Sequence, residues 1–368
     1  MSYAFDTTDI VLSVVKIAVV LLALLNVVPI MVWVERRGSA LIQDRPGPNR
    51  VGPFGLLQSF ADALKFILKE DIIPAGAHKW IYTLAPTFGL LPALTTIAVV
   101  PWGRKFFIEE REFLGRTLFE GGRWFEPVIV NVNVGILIVF ALASLGVYGI
   151  VAAGWASNNK YSMFGAIRAS AQMISYELAL TLAAVSVLLA AGSLRLTDVV
   201  WQQSGTFRLF DTIPIPAWNA FSPAMWIAFV VFVVAGFAET NRLPFDFAEA
   251  EAELVAGYHT EYSSMKFALF FMAEYMAMTT MSALIVTLFL GGWDIPWYNE
   301  PPTFLGFILS VAAFVAKVAL LLFVFVWVRW TIPRLKYDIL MRLGWKVFLP
   351  LAFLNIVIVA AFIAMRWL

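Results

Sequence analysis

Glu177, Glu274 and Lys317 sit inside long apolar runs of a chain with few charges, and Arg168 stands near the start of the run that holds Glu177. A charge at mid-bilayer depth costs roughly 2.5–3.5 kcal/mol on insertion scales. Such groups are expected to face a polar or wet interior, either as one buried pair of Lys317 with a Glu or as a chain of ionisable groups able to move protons. Between Ser162 and Glu177, helical spacing puts Arg168, Gln172 and Ser175 on one face and Glu177 about 180° from Arg168. The most polar segment sets Glu239, Asp246, Glu249, Glu251, Glu253 and Glu261 against a single Arg242, interleaved with Leu254, Tyr258 and Tyr262 and stiffened by Pro244 and Gly257. Glu249 and Glu253, one turn apart, would share a helix face, while Glu251 would not. Mutual repulsion and removal from water both raise a carboxyl pKa, which lets a Glu hold or pass a proton near neutral pH.

Near the N-terminal end, Asp44 to Pro53 is a Pro/Gly-stiffened loop carrying Arg45 and Arg50. It leads into Gly55–Glu70, where Leu57, Phe60, Ala61, Leu64, Ile67 and Leu68 recur at helical spacing with Gln58, Asp62, Lys65 and Lys69 opposite. That pattern predicts an amphipathic helix lying on the membrane surface. The rigid basic loop reads either as a simple positive-inside anchor or as a shaped mouth that a lipid, a quinone or a partner subunit could meet.

The elements that position these groups follow from composition. Of 368 residues, 61% are hydrophobic and 14% charged, too apolar for an ordinary soluble domain. Apolar runs near 10–34, 82–101, 128–153, 164–191, 221–239, 266–290, 303–328 and 347–365 predict an all-α polytopic membrane protein of about eight spans in a single integral membrane domain. The first run is too long for a cleaved signal and is expected to be a retained span. Lys and Arg crowd the segments at 35–81 and 329–346, which places both on the cytoplasmic side, with 240–265 as an acidic cytoplasmic loop and both termini outside. The charged loop 102–127 then lies outside, although Arg104, Lys105, Arg111, Arg116 and Arg123 argue against that side.

A net charge of +1 gives no reason to expect nucleic acid as a partner. There is no Cys, so neither a disulfide nor a thiolate-bound iron–sulfur cluster can form, and the only His residues, His78 and His259, fall outside the apolar runs. No metal site is expected, and any redox centre must lie on another protein. No phosphate loop or metalloprotease motif competes.

Glu35-Arg36-Arg37-Gly38, the run Arg45 to Pro53 with its helix to Asp71, Gly165 to Glu177, and Glu239 to Tyr275 together resemble the family of quinone-tunnel membrane subunits of respiratory complex I. The blocks 35–71, 133–177, 239–275 and 329–350 carry the likeness. It implies a subunit of a proton-translocating NADH:quinone oxidoreductase in a bacterial inner membrane. The chain would join hydrophilic quinone-site and iron–sulfur subunits to adjacent small membrane subunits, in contact with membrane lipids. NADH, flavin mononucleotide and iron–sulfur clusters would belong to the partners, with quinone as substrate. Carried over by position, the quinone tunnel would comprise Glu35, Arg36, Arg45, Asp62, Arg242 and Asp246. The proton relay would comprise Glu177, Glu239, Glu249, Glu251, Glu253, Glu274 and Tyr275. Asn131, Phe247-Ala248, Trp330, Lys336 and Ile339 depart from the usual pattern, none of them in the relay. The membrane subunit of an energy-converting hydrogenase carries similar acids, but the complete basic run 45–53 disfavours it. An independent cation or proton transporter would be expected to show interrupted helices in pseudo-symmetric positions, which are not apparent.

Overall fold

The structure, a computed structural model, describes residues 7–365 apart from 110, 114, 115, 119–121, 210–212, 250, 299 and 300. Helix α1 (Thr7–Ile42) outruns its apolar stretch, so Glu35, Arg36 and Arg37 lie on its last turns rather than in the loop expected from residue 35. A tight 3-10 turn at Pro53–Gly55 starts the surface helix α2 (Gln58–Leu68), close to its expected bounds. Three contacts fasten it to α1: Trp33 Nε1 donates to the Phe54 carbonyl at 3.0 Å, Ser59 Oγ donates to the Pro29 carbonyl at 2.8 Å, and Arg36 pairs with Asp62 at 2.5 Å.

Spans two to four are α3 (Lys79–Thr96), α4 (Gly135–Ala156) and α5 (Lys160–Ala191). Asn159 caps α5, its side chain accepting from Tyr161 N at 2.9 Å. The short helix α6 (Leu196–Gln203) follows, and then α7 (Trp226–Glu239), whose 14 residues reach about 21 Å, short of the ~30 Å of hydrocarbon. Pro223 precedes α7 and the polar Thr240–Pro244 ends it, which is why the fifth expected span is shorter than the others. Its inner face, Ala228, Val231, Phe232 and Ala235, is fully buried against the neighbouring helices. Among the described residues seven helices are long and apolar enough to cross a membrane, with Pro223–Glu239 as a shorter apolar one.

A single helical turn, α8 (Glu251–Leu254), lies in the segment before α9 (Ser264–Phe289), the most enclosed of the spans. Helix α10 (Phe304–Thr331) follows, and the last span joins α11 (Tyr337–Leu343) to α12 (Leu349–Ala364) through a π turn at Gly344–Phe348. Gly344 there sits against the Tyr176 ring, where a Cβ would come within 3.3 Å. Val14, Leu22, Val315, Leu320 and Val357 on α1, α10 and α12 are exposed, as lipid-facing residues should be.

The loop 102–127 holds short strands that hydropathy did not anticipate. Strand β1 (Phe106–Ile108) pairs antiparallel with β4 (Arg123–Phe125), Phe106 opposite Phe125, and β2 (Arg111–Phe113) pairs with β3 (Arg116–Leu118). A further hairpin joins β5 (Thr206–Leu209) to β6 (Ile213–Pro216). Trp102 and Phe125 meet the Phe307 ring of α10 edge-on and Phe106 meets it tilted, so aromatic packing holds the first ribbon onto the bundle.

Candidate functional site: a buried ion cluster beside an acid-lined cavity

Where α7 ends, the chain turns inward instead of running out into solvent. Gln172 on α5 holds that turn, its amide donating to the carbonyls of Ala238 and Phe245 at 2.7 Å each. Asn241 adopts φ 51°, a conformation Asn tolerates. Arg242 is consequently buried among α1, α9 and α10. Its Nε lies 2.8 Å from Glu274 Oε1, its Nη1 3.6 Å from Glu35 Oε2, and its guanidinium 4.2 Å above the Tyr275 ring centroid. Arg329, from the last turn of α10, also donates to Glu35, and the Tyr275 hydroxyl donates to the other Glu35 oxygen. Two carboxylates thus meet two guanidinium groups, the balance a buried ion cluster needs. Burial opposes the charge on Arg242, but Glu274, Tyr275 and Glu35 outweigh it and hold the guanidinium above its already high ordinary pKa.

Beside this cluster lies a cavity of about 1060 Å³, counting its open mouth. Its wall brings together Glu177, Glu239, Glu249 and Glu274, set among apolar side chains such as Val139, Phe140, Ile150 and Leu284. Ser144 donates to Glu177, and Glu239 Oε2 has no hydrogen-bond partner among the described residues. Glu274 therefore faces both ways, on the cavity wall and paired with Arg242. Tyr258 joins the lining, and burial, reinforced by Glu274, pushes its hydroxyl well above the ordinary tyrosine range.

The segment 240–265, expected as a cytoplasmic acidic loop, is a folded insert: Phe245, Phe247, Ala248, Leu254, Tyr258 and Tyr262 are all buried. Asp246 is partly buried there and accepts from Glu249 N at 3.3 Å. Burial, with the Glu249 charge added, pushes its carboxyl up to about 6 against the pull of Arg329 and Arg334. The expected shared helix face of Glu249 and Glu253 does not form. Helix α8 is one turn long and starts after Glu249, and Val255 and Gly257 adopt φ 65° and 59°, which turns the chain back. Glu253 leaves the cavity and pairs with Arg168 at 2.6 Å, with Arg334 at 3.9 Å. The side chain of Glu251 lies outside the described residues.

Of the remaining residues, Arg36 and Asp62 form the seam between α1 and α2, with Lys65 4.0 Å from Asp62. Arg45 is exposed and bonds Gln43 at 2.7 Å, apart from the buried cluster. Lys317 is not among the cavity's lining residues: its ammonium donates to the carbonyls of Leu290, Gly292 and Asp294 at 2.8, 3.0 and 2.6 Å and sits 4.0 Å over the Trp218 ring. It caps the C-terminal end of α9, where free carbonyls attract a cation. Arg329 and Ser144 are contributors that residue spacing did not single out. Arg329 reads in the sequence as one more basic residue at a span end, and Ser144 as one small residue in an apolar run.

The family model described as NADH dehydrogenase matches residues 15–360. An H-type subunit of the NADH-quinone oxidoreductase of Koribacter versatilis is 46% identical over 354 residues, covering 96% of this chain and 97% of the relative. The H-type NADH-quinone oxidoreductase subunit of Leptospira biflexa is 45% identical over 357 residues, 96% and 95% of the two chains. One from Geobacter metallireducens, of the same type, is 45% identical over 358 residues, 97% and 98%. Since the likeness runs almost end to end, through α1, the insert after α7 and α9 that together build the ion cluster, the chain belongs to the NADH dehydrogenase family.

Proposed function

We propose that this chain is the membrane subunit of an NADH:quinone oxidoreductase that frames the quinone tunnel and begins the acidic relay coupling quinone reduction to proton translocation. The observation that carries the reading is the meeting of Glu177, Glu239, Glu249 and Glu274 on one cavity wall, with Glu274 also paired to Arg242 of the buried cluster. An iron–sulfur cluster does not fit this chain, which has no Cys. NADH, flavin mononucleotide and iron–sulfur centres are assigned to partner subunits, which supply the electrons.

Converting a quinone to a quinol takes up two electrons and two protons, so the protein beside it must tolerate a change of local charge. Glu35, Arg242 and Asp246 form the inner part of the proposed tunnel, Arg36 and Asp62 its rim where α2 meets α1, and Arg45 the exposed basic mouth. A shift of charge near Arg242 acts on Glu274 directly, because the two share an ion pair. Glu274, Glu249, Glu239 and Glu177 then offer successive carboxyls along the cavity, each able to take up and release a proton. Tyr275 keeps Glu35 oriented. On this reading Glu253 holds the insert to α5 through Arg168 rather than carrying protons.

Replacing Glu177, Glu249 and Glu274 singly by Gln preserves shape while removing the exchangeable carboxyl. In the assembled complex, reconstituted in vesicles, at least one variant is expected to lose NADH:quinone turnover coupled to pumping, followed by dye quenching, while NADH:ferricyanide reduction survives. Full coupled pumping in all three would remove the relay and leave a quinone tunnel alone.

A further inference from the structure

At the end of the bundle away from Arg242, where α3 finishes and α4 begins, a second cavity of about 480 Å³, counting its open mouth, has no part in the proposed relay. Its wall carries two cations, Lys105 and Arg195, and two carboxylates, Glu126 and Asp198, with Asn131 and Trp201 beside them. Glu126 accepts from Asn131 Nδ2 at 3.0 Å, Asp198 accepts from Ser193 Oγ at 2.7 Å, and Arg195 Nη2 donates to Asn133. Those bonds hold the charged groups while leaving capacity unused. Arg195 Nε is buried and has no acceptor among the described residues, a costly state for a guanidinium N–H.

Next to the cavity the surface is apolar: Val130, Val134, Leu137 and Leu194 are 40, 44, 50 and 36% exposed. They belong to the connections and helix ends that carry Asn131, Asn133 and Arg195. A ligand seated here would therefore meet positive charge, negative charge and, immediately beside them, a surface that favours hydrocarbon. A simple anion would leave Glu126 and Asp198 facing like charge, and a simple cation would do the same to Lys105 and Arg195.

We propose that this cavity binds the headgroup of a zwitterionic phospholipid, phosphatidylethanolamine in chemical class, its acyl chains lying along Val130, Val134 and Leu137. The phosphate accepts from the guanidinium Nη atoms of Arg195 and from Lys105, charge-assisted contacts at the cavity wall. The ammonium donates to Glu126 and Asp198. This site does not depend on the relay reading, since neither its residues nor its ligand enter the proton path.

The test uses the assembled complex in nanodiscs containing phosphatidylethanolamine with a photoactivatable acyl chain, with crosslinks mapped by mass spectrometry. Labelling is expected in 128–137 and 193–201, and unlabelled phosphatidylethanolamine should displace it better than phosphatidylglycerol does. Arg195→Gln should lower labelling by about fivefold or more, the loss of roughly one charge-assisted hydrogen bond. Glu126→Gln should remove the preference for phosphatidylethanolamine. Equal displacement by the two lipids would overturn the zwitterion assignment and leave an anion site. Displacement by inorganic phosphate but not by lipid, or unlabelled peptides because a neighbouring subunit covers them, would overturn the lipid site itself. Quinone turnover of both variants is expected to stay at the wild-type level, confirming that they assemble.

Discussion

Arg242 shows how much rests on one side chain. It lies between Glu35 and Glu274 and stacks on Tyr275, buried with Glu35 and Tyr275 while Glu274 stays half-buried at the cavity wall. Removing one partner from a buried ion cluster costs about 3–5 kcal/mol, because the opposing charge is left without compensation. Arg242→Met is accordingly expected to deplete the subunit from assembled complex on native gels. Adding Glu274→Gln should restore part of the assembly, since the stranded charge is gone, and no recovery at all would show that Arg242 acts through packing alone. Asp246 supplies a pH signature outside the spans. With its carboxyl pushed up to about 6, the folded chain binds this proton more tightly than the unfolded chain does. Between roughly pH 4 and 6 the unfolded state gives up its proton first, so stability falls as pH rises through that window and levels off above it, by about 2–3 kcal/mol in all. Asp246→Asn should flatten this part of the thermal-stability profile of the assembled complex relative to wild type. An unchanged slope would show that Asp246 is ionised throughout.

Among the elements, the insert between α7 and α9 decides the site. Its return toward α5 requires Gly257, which adopts φ 59° and approaches so closely that an added Cβ would stand 1.6 Å from the Ala248 carbonyl oxygen. Gly165 of α5 meets the same place, where a Cβ would fall 2.7 Å from Gly257 Cα. Gly257→Ala combines backbone strain of about 1–3 kcal/mol with direct overlap, so the insert should detach and carry Glu249 away from the cavity. Loss of quinone reductase activity with weakened assembly on native gels is the expected result, and wild-type activity would show that the insert can shift without moving Glu249. Helix α2 is a contrasting element. Its apolar stripe was legible from residue spacing, because an amphipathic helix repeats its pattern locally, and its fastening to α1 adds Arg36–Asp62 and Ser59, with Trp33 bonding the turn just before it.

For the whole molecule, the short helix α7 determines the parity of the topology. If Pro223–Glu239 crosses together with the seven long spans, eight crossings return the C-terminus to the side of the N-terminus. On that count the excess of Lys and Arg at 35–81 and 329–346 predicts both termini outside. An alkaline phosphatase fusion at the C-terminus is expected to be active in intact cells, and a green fluorescent protein fusion at the same point dark. A fluorescent fusion would put that end inside and require one span fewer. A helix of about 21 Å can serve as a crossing because α5, α9 and α12 enclose it, so its polar ends need not meet lipid.

Membrane residence, the order of the seven long apolar helices, the surface helix and the absence of thiolate ligands were all determined by the sequence alone. Each depends on composition or periodicity summed over a contiguous stretch, and no distant partner can change that sum. The eight-residue extension of α1 past residue 34 and the hairpins in 102–127 depended on tertiary support instead. The same division runs through the acids. That Glu177 and Glu274 need a polar environment follows from the cost of burying charge, whichever neighbours they have. Which groups supply that environment is a matter of three-dimensional register: Arg329 reaches Glu35 across 294 positions, and Glu253 turns to Arg168 while Glu249 stays at the cavity. Charge-pair geometry falls off over a few ångströms, whereas sequence spacing constrains position only within one helix, so the partners of the buried carboxylates were decided by how the helices pack.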